Sequence, residues 1–455
     1  MTMISKNVQR VLLVGGGARE HAIGEALCRG GNVQLLVVSN NDNPGLTELV
    51  RDSNNFFKNS ETDVKAIKKW AKDKAVDFAV MGLEDPLTSA VGLPDELAKI
   101  GIPTVGPSKK AAMLETSKLF LRDLMQRHNI PGQIPYRYFS DLRLLSEFLK
   151  SSQKEYVLKP VGLTAGKGVK VMGVQLSSVD EAISYAEEVI SKRIGGVAGL
   201  IVEERMLGEE FTLQTFVDGK TILPMPLVKD FKRALEGDKG PNTGSMGSYS
   251  QANGLLPFIT QIEYDRAVDI LDRIIHALGS EGVTYKGILY GQFMKTEEGL
   301  RLIEINARFG DPEAINVLPL LQNDFVEVCH AVISGSLKKL ALRFAHKATV
   351  CKYITPPGYG IKPEVGVPIR LEMPKIESMG VKVYFAKLTK QNGELLTTTS
   401  RSFALLGIGD SVEEAESAVE RSLDYIHGRY HIRRDIGKPE LIQSTHVKEL
   451  QGIVS

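Results

Sequence analysis

The chain contains 455 residues, more than one hydrophobic core usually organises, so we expect about three domains. Its hydrophobic content of 43%, charged content of 24% and formal net charge of +1 are typical of a soluble globular protein. This balance excludes a protein whose function depends on strong electrostatic attraction to nucleic acid or to a membrane surface.

Three further observations lead us to expect a cytoplasmic protein. No stretch approaches the roughly 20 apolar residues of a membrane span. The first ten residues, MTMISKNVQR, lack the apolar core of a signal peptide. The cysteines Cys28, Cys329 and Cys351 have neither metal-binding nor redox spacing, so we interpret them as free thiols of a reducing compartment.

The first hundred residues alternate between strand-like and helix-like segments. We predict strands at residues 10–14, 34–39, 76–81 and 102–105, and helices at about 19–28 and 62–74. This alternation predicts a doubly wound parallel sheet, in which ligands bind beyond the carboxyl ends of the strands. The loops at those ends are GGGAREH, SNNDNPG and GLEDP, at residues 15–21, 39–45 and 82–86.

The loop GGGAREH suggests a dinucleotide site, but two features argue against one. The G-x-G-x-x-G pattern requires glycine where Glu20 stands, and the second strand ends at Ser39 and Asn40 without the acid that binds a ribose. Three glycines before a helix still suit a single phosphate, with Arg19 and His21 adding charge and hydrogen bonds. A tight glycine turn beside a solvated arginine is the alternative interpretation.

A second glycine-rich stretch, YVLKPVGLTAGKGVKV at residues 156–171, follows a predicted helix at 108–128 that carries Lys118. A P-loop requires Ser or Thr after its lysine and a helix after its glycines. Here Gly168 follows Lys167, and a β-branched, apolar segment comes next. The stretch therefore predicts a β-hairpin whose backbone amides lie over phosphates, with an ordinary glycine turn as the alternative.

The remaining elements are predicted from periodicity and turn signals. We expect strands through most of 136–174 and 201–216 and at 288–294 and 300–305, with helices at about 179–191, 264–278 and 324–333. From about residue 345 we expect a small, separate β-rich unit with one helix at 412–426.

Polar side chains at the end of one predicted strand suit a divalent cation. Glu304 and Asn306 are two residues apart and share one face of the strand, and Gln292 lies on the neighbouring strand. Such oxygen ligands, completed by phosphate oxygens, are typical of Mg²⁺. The following RFGDPE places Arg308, a bidentate partner for phosphate or carboxylate, beside them. The alternative is a polar strand face without a metal.

Two further segments have the composition of ligand-binding loops. GPNTGSMGSYS at residues 240–250 is rich in amide and hydroxyl groups and follows the charged cluster KDFKR at 229–233. EERM at 203–206 ends an apolar strand, where extended backbone can pair with an adenine edge, and the Glu210 carboxylate can accept ribose hydroxyls. A disordered loop and surface acids are the respective alternatives.

Together and in this order, these motifs resemble those of the ATP-grasp ligases, and more narrowly those of the phosphoribosylamine–glycine ligases. The resemblance covers nearly the whole chain, through VLLVGGGAREHAI, VGPSKKAAMLETSK, KPVGLTAGKGV, EERMLGEEFT, GPNTGSMGSYS, LIEINARFGDPE, SFALLGIGDSVEEA and YHIRRDIG. Its most specific parts are RFGDPE and GPNTG.

The resemblance implies an α/β and α+β multidomain protein. We expect an N-terminal domain with a doubly wound parallel sheet at residues 1–112 and a central ATP-grasp domain at 113–335 with a hairpin lid subdomain at about 133–206. A small C-terminal β-rich domain would occupy 345–440.

The resemblance also assigns roles to individual residues. It implies ATP contacts from Lys118, Lys159, Gly162, Gly166, Lys167, Gly168, Glu203, Glu204, Met206 and Glu210. It implies that phosphoribosylamine and glycine contact Gly16, Gly17, Arg19, Glu84, Asp85, Pro86, Asn242, Thr243, Gly244, Arg308 and Asp311. Mg²⁺ or Mn²⁺ would be held by Gln292, Glu304 and Asn306, and the catalytic residues would be Lys159, Asp230 and Arg308.

The chain departs from the family pattern at three positions. Val161 stands where an acid is frequent, Ser245 where glycine is common, and Ile315 where glutamine is usual. These departures concern individual contacts within the implied site rather than the implied reaction.

The implied reaction begins with attack of the glycine carboxylate on the γ-phosphate of ATP. The amine of 5-phosphoribosylamine then attacks the carbonyl of glycyl phosphate. Positioning and charge neutralisation supply the catalysis, and a closing hairpin excludes water from the acyl phosphate. We expect a monomer or weak homo-oligomer that acts on these small molecules.

Three alternatives belong to different functional classes. One is another ATP-grasp carboxylate–amine ligase or carboxylase of nucleotide metabolism. The second is an NAD-dependent dehydrogenase, which Glu20 and the missing acid disfavour. The third is a non-catalytic nucleotide-binding regulator, because binding residues alone do not establish turnover.

Overall fold

The structure is a computed structural model that describes residues 8–164 and 168–443. The predicted hairpin residues Gly166 and Lys167 lie outside this part of the chain. Within it, no helix combines the length and the apolar character that crossing a bilayer requires.

The N-terminal sheet has five parallel strands. They are β1 Gln9–Val14, β2 Val33–Ser39, β3 Phe56–Lys58, β4 Phe78–Met81 and β5 Thr104–Val105, in the order β3-β2-β1-β4-β5. The helices between them are α1 Ala18–Cys28, α2 Pro44–Leu49, α3 Val64–Asp73 and α4 Leu93–Ala98. The predicted doubly wound parallel sheet is confirmed. The order reverses beside β1, so the loops after β1 and β4 meet at one edge.

The chain leaves this sheet through two short helices, α5 Met113–Thr116 and α6 Lys118–Arg127. The predicted single helix at 108–128 is wrong, because Ser117 is extended and its side chain accepts a hydrogen bond from the Phe120 amide. Ser117 thereby begins a new helix, in which Lys118 is the first residue.

The lid consists of a four-stranded antiparallel sheet with two helices. Its elements are β6 Tyr136–Phe139, α7 Leu142–Ser151, β7 Tyr156–Pro160, β8 Lys170–Val171, α8 Val179–Lys192 and β9 Leu200–Glu204, with the sheet order β6-β9-β7-β8. The predicted hairpin is confirmed, since Val157 pairs with Val171. The strand expected through 142–151 is wrong. Asp141 caps helix α7 there, and its buried Leu145 and Leu149 are one turn apart.

The middle of the chain builds the central sheet. Its elements are β10 Glu209–Val217, β11 Ile222–Pro224, β12 Lys229–Asp230, β13 Arg233–Leu235, β14 Lys239–Asn242, β15 Gly247–Ser250, α9 Gln261–Ser280, β16 Gly287–Thr296, β17 Gly299–Asn306, α10 Glu313–Val317 and α11 Phe325–Ser334. The sheet itself has the order β11-β10-β16-β17, and helix α9 packs against β16 and β17.

The C-terminal elements form two sheets. They are β18 Ala348–Ile354, β19 Pro368–Leu371, α12 Met373–Ser378, β20 Lys382–Phe385, β21 Leu388–Gln391, β22 Glu394–Thr397, β23 Phe403–Gly409, α13 Val412–Ser422 and β24 Ile426–Gly428. The sheet orders are β12-β15-β18-β23-β20 and β21-β22-β19-β24. The prediction of one helix extending to residue 426 is wrong, because α12 is a second helix and α13 ends at Ser422.

Residues 229–250 do not form the disordered loop that was one interpretation of the GPNTG region. Strands β12 and β15 pair with each other and join the larger C-terminal sheet through β18, while β13 and β14 form a hairpin between them. We call residues 229–250 the ribbon. The ribbon links the centre of the chain to the C-terminal sheet.

Candidate active site

The loop after β1 is shaped around the buried Glu20 side chain. Its Oε2 accepts a hydrogen bond from the Gly17 amide at 2.7 Å, and its Oε1 accepts one from Arg19 Nε at 2.7 Å. A Cβ on Gly82 would lie 2.4 Å from this side chain, and one on Gly15 would lie 2.7 Å from it. Glu20 thus stands where the third glycine of a dinucleotide-binding pattern allows close packing of helix on strand, and its side chain packs against Gly15 and Gly82 instead.

His21 on helix α1 and Asn43 in the loop after β2 contact the C-terminal domain. His21 Nδ1 accepts a hydrogen bond from the Phe385 amide at 3.0 Å, and Asn43 Nδ2 donates to the Phe385 carbonyl at 2.5 Å. Burial lowers the pKa of His21 to about 4. Neutral His21 therefore holds two domains together, and its expected hydrogen bond to a ligand stays a prediction.

Arg308 lies at the centre of a charge network between the N-terminal and central domains. Its Nε is 3.0 Å from Glu84 Oε2, and its Nη2 is 3.5 Å from Glu115 Oε1. Arg19 Nη2 approaches Glu84 Oε2 at 4.0 Å. Asp85 and Pro86 follow in the same turn, with Asp85 exposed and Pro86 buried. Residues predicted from distant motifs therefore converge here.

The pKa values of the two carboxylates around Arg308 are shifted in opposite directions. The Arg308 guanidinium lowers the pKa of Glu84 to about 2, against the effect of burial. Burial raises the pKa of Glu115 to about 7, although Arg308 opposes this shift. Glu115 Oε2 also accepts a hydrogen bond from the Ala307 amide at 2.7 Å. Glu115 thus fixes both the side chain and the backbone preceding Arg308.

Helix α6 contacts the lid through Lys118, one of the two predicted phosphate-binding lysines. Lys118 Nζ donates to the Gly162 carbonyl at 3.0 Å, and burial lowers the pKa of Lys118. A Cβ on Gly162 would lie 2.0 Å from the Gly195 carbonyl oxygen. Gly168 is held by the Tyr185 hydroxyl, which donates to its carbonyl at 2.5 Å. Backbone packing therefore fixes both described ends of the glycine loop.

Lys159 belongs to a buried triad with Glu203 and Arg122. Glu203 Oε2 is 2.6 Å from Lys159 Nζ, and Glu203 Oε1 is 2.8 Å from Arg122 Nε. Burial opposes ionisation of Glu203, but Arg122 and Lys159 hold its pKa at about 2. The Glu203 side chain is thus committed to these cations. The next residues are more accessible: Glu204 pairs with Lys154 at 2.7 Å, and Met206 is half-buried.

The predicted metal residues are paired across strands β16 and β17. Gln292 lies opposite Glu304, and Asn306 lies opposite Tyr290. Glu304 and Asn306 are half-buried and share one face of β17. The Gln292 amide oxygen is already within hydrogen-bond distance of Thr212 and Tyr290. Ligation of a metal by Gln292 therefore requires its side chain to rotate.

The ribbon presents Asp230 and Lys232 to the central sheet. Lys232 Nζ is 3.3 Å from Glu210 Oε2, and Gln292 Nε2 donates to the same oxygen at 3.0 Å. Burial opposes protonation of Lys232, but Asp230 and Glu210 raise its pKa. Burial also raises the pKa of Asp230. Glu210, expected at the ribose, is thus part of the same network as Asp230.

The remaining predicted substrate residues lie on the ribbon or beside it. Thr243 donates to the Lys232 carbonyl from both its amide and its hydroxyl, at 2.7 and 2.8 Å. Asn242 pairs with Arg233 in the hairpin. Asp311 accepts hydrogen bonds from the Tyr353 hydroxyl and, at 2.7 Å, from Arg401 Nη2. Both Asp311 oxygens therefore have partners from the C-terminal domain.

Four charged residues that organise this site were not predicted from the sequence. Glu115 lies within the quoted ETSK motif and Glu313 ends RFGDPE, so their motifs offered a signal. Glu313 Oε1 is bonded by the Tyr290 hydroxyl at 3.0 Å. Arg122 and Arg401 stand in no quoted motif, and their partners are 81 and 90 residues away. No local pattern marks such pairs.

Comparisons with known proteins agree with this architecture. Family models for the N, ATP-grasp (A) and C domains of phosphoribosylglycinamide synthetase match residues 9–115, 116–314 and 349–439. The chain is 46% identical over 445 residues to the phosphoribosylamine–glycine ligase of Methanothermobacter thermautotrophicus, covering 97% of this chain and 100% of the relative. It is 48% identical over 434 residues to the same-named protein of Thermococcus gammatolerans, covering 95% and 96%. The crystal structure of the Thermotoga maritima phosphoribosylamine–glycine ligase superposes with a TM-score of 0.76 at 27% identity, covering 94% of this chain and 100% of that one.

Proposed function

The chain belongs to the phosphoribosylamine–glycine ligase family, and we propose that it ligates glycine to 5-phosphoribosylamine with ATP. The products are glycinamide ribonucleotide, ADP and phosphate, and the reaction is a step of de novo purine biosynthesis. The proposed intermediate is glycyl phosphate, formed when the glycine carboxylate attacks the γ-phosphate.

The observation that carries this proposal is the convergence at the carboxyl end of β17. Glu304 lies near Lys118, since its charge opposes the effect of burial on the pKa of Lys118. Arg308, four residues later, reaches Glu84 of the N-terminal domain at 3.0 Å. A phosphoryl donor bound at the lid and an amine bound at the N-terminal loops would thus meet beside residues 304–308.

In the first step, the chain's cations would neutralise the phosphate oxygens. Lys118 and Lys159 would bind them beneath the hairpin. Glu203 compensates the charge of Lys159 in its buried position, since their atoms are 2.6 Å apart. The described hairpin residues Gly162 and Gly168, with Gly166 and Lys167 between them, would close over the nucleotide and exclude water.

In the second step, the amine would attack the glycyl carbonyl. Arg308 is held between Glu84 and Glu115, so its guanidinium would stabilise developing negative charge without first having to be ordered. Asp230 and the neighbouring ribbon residues would hold glycine and the amine. Gly16, Gly17 and Arg19 would bind the phosphate of phosphoribosylamine.

The residues at β17 fit a hard divalent cation. Glu304 and Asn306 offer oxygen ligands from one strand face, and a site of this kind leaves the remaining positions to phosphate oxygens. These two residues, with Gln292 after rotation, would hold Mg²⁺ or Mn²⁺. When bound, the ion would polarise the phosphoryl group and neutralise its charge.

The outer parts of the site would bind the nucleoside. The segment from Glu203 to Met206 would line the adenine through its backbone and Glu210 would bind the ribose.

We also propose a cytoplasmic monomer or weak homo-oligomer. The cytoplasmic location is supported by Cys329 and Cys351, which are buried free thiols, a state that suits a reducing compartment.

The proposal is tested by measuring ADP and glycinamide ribonucleotide formation with purified protein, Mg²⁺, ATP, glycine and 5-phosphoribosylamine. We expect ADP formation to require both glycine and 5-phosphoribosylamine. Glu304→Ala should lower turnover by about 100-fold or more, because removal of one charge-stabilising group typically costs about 3–4 kcal/mol. Glu298→Ala, in the turn between the same strands and 73% exposed at its side chain, is the matched control.

Three outcomes would contradict the proposal. One is efficient product formation with a different carboxylate or amine and not with this pair, which would favour another ATP-grasp ligase or carboxylase. Another is unchanged turnover of Glu304→Ala. The third is nucleotide binding without any ADP formation, which would indicate a regulator.

A further inference from the structure

The hairpin of the ribbon projects from the larger C-terminal sheet. Its strands β13 and β14 pair only with each other among the described residues. Two strands alone are marginally stable in water. The position of Asn242 therefore depends on contacts that other parts of the chain make with the hairpin.

The first set of contacts comes from Arg433, in the YHIRRDIG segment that the proposed function does not use. Its fully buried guanidinium donates to Asp238 Oδ1 at 2.9 Å and to the Arg233 carbonyl at 3.2 Å. Asp435 binds Arg433 at 2.8 Å and also accepts from the Gly237 amide at 2.8 Å. Arg433 and Asp435 together thus hold strand β13 and the turn of the hairpin.

The second set of contacts comes from Arg401, at the other end of the hairpin. Its Nη1 donates to the Gly244 carbonyl and, at 3.2 Å, to the Ser245 carbonyl. Its Nη2 donates to Asp311 Oδ2 at 2.7 Å, and its guanidinium lies 4.2 Å from the centre of the Tyr353 ring. Arg401 therefore joins the ribbon to the loop that follows Arg308 in the sequence.

The backbone at this junction needs such support. Ser245 has a φ of +86°, a conformation that costs a non-glycine residue about 1–2 kcal/mol. Glycine would adopt this conformation without that cost, so a serine here makes the turn more dependent on the contacts around it. Two bonds from Arg401 hold the carbonyls of the strained turn, and the third, to Asp311, fixes its orientation.

We propose that the C-terminal domain sets the position of the substrate-binding ribbon, with Arg401 and Arg433 as positioning residues for the glycine and amine side of the site. The ribbon carries Asp230, Asn242 and Thr243, whereas the residues proposed for the nucleotide lie on the lid, helix α6 and strand β10. This inference rests on the proposed function. It assigns to the C-terminal domain a selective effect on the acceptor substrates rather than on ATP.

The test compares Arg401→Gln with the wild type in two measurements. In steady-state kinetics, kcat/KM for glycine should fall by about 100-fold, the size of effect that a misplacement near 1 Å produces, while KM for ATP stays unchanged. In hydrogen exchange without substrates, peptides covering 236–247 should exchange faster, and peptides covering β10 should not. Arg401→Lys should restore part of both, because it retains the charge opposite Asp311.

The control is Arg429→Gln, which removes an arginine of the same domain whose side chain is 70% exposed and pairs with Glu364. It should change neither measurement. Equal losses for glycine and ATP in Arg401→Gln, or unchanged exchange in 236–247, would overturn the inference. If Arg401→Gln fails to fold, Arg401→Lys and Arg433→Lys carry the same comparison. Absence of ligation by the wild type would refute the proposed function alone, since the exchange result stands without substrates.

Discussion

Substitution of Glu203 by glutamine should weaken the lid by about 3 kcal/mol at neutral pH. Glu203 is 1% exposed and lies 2.6 Å from Lys159 and 2.8 Å from Arg122. Glutamine keeps the shape but leaves two buried cations without an anion. Breaking a buried ion pair in this way typically costs about 3–5 kcal/mol.

The pKa of Glu203 gives an independent magnitude with a defined pH dependence. The shift from the ordinary value of 4.5 to about 2 corresponds to about 3 kcal/mol. Because the pKa is lower in the folded state, this stabilisation is fully present above pH 4.5 and is lost as the pH falls towards 2. The difference between the wild type and Glu203→Gln should therefore shrink over that interval.

The assay is hydrogen exchange in peptides covering β7 and β9, converted to local opening free energies, because a multidomain chain need not unfold in two states. Glu204→Gln is the control: its partner Lys154 is 63% exposed at the side chain, and exposed pairs contribute about 0–1 kcal/mol. Equal effects of the two substitutions at pH 7, or a Glu203→Gln effect that does not change with pH, would refute this reasoning.

Three further predictions concern the strained turn at Ser245, the glycine hairpin and the loop after β1. Ser245→Gly should be more stable than Ser245→Ala by about 1 kcal/mol in thermal unfolding, since both lose the hydroxyl but only glycine relieves the positive φ; equal midpoints would contradict this. Gly162→Ala should weaken ATP binding in calorimetry about 10-fold or more, because its Cβ would lie 2.0 Å from the Gly195 carbonyl oxygen and the hairpin must shift, whereas Gly279→Ala, which meets no atom within 4 Å, should bind normally. Glu20→Ala should raise KM for phosphoribosylamine about 10-fold with KM for ATP unchanged, because Glu20 holds the backbone of the loop by accepting a hydrogen bond from the Gly17 amide. A larger increase in KM for ATP would contradict the assignment of this loop to phosphoribosylamine.

Local sequence patterns predicted the elements that depend on neighbouring residues. The alternation of strands and helices before residue 106 predicted the parallel sheet. The β-branched segment after the glycines predicted a hairpin rather than a P-loop, and Val157 does pair with Val171. The two-residue spacing of Glu304 and Asn306 placed them on one face of β17. Each inference required only a short segment of chain.

Errors arose where one local signal outweighed another. Ser117 ends a helical pattern that appeared continuous, because its side chain caps the next helix. Segment 142–151 has β-favouring residues on both sides of it, yet Asp141 caps it as the start of helix α7. The glycine and proline content of the GPNTG region suggested a loop, but pairing with β18 makes part of it a strand. The last case needed a partner more than 90 residues away.

The sequence by itself therefore determined the parallel N-terminal sheet, the glycine hairpin and the polar face of β17, because each follows from spacing and backbone preference within a few residues. Only the tertiary structure determined which ion pairs neutralise the charged residues of these parts and hold them in place. Glu203 neutralises Lys159, Glu84 and Glu115 flank Arg308, and Arg401 binds Asp311. A buried ion pair forms when folding brings distant groups within a few ångströms and removes water from them. The spacing of residues along the chain does not specify that distance.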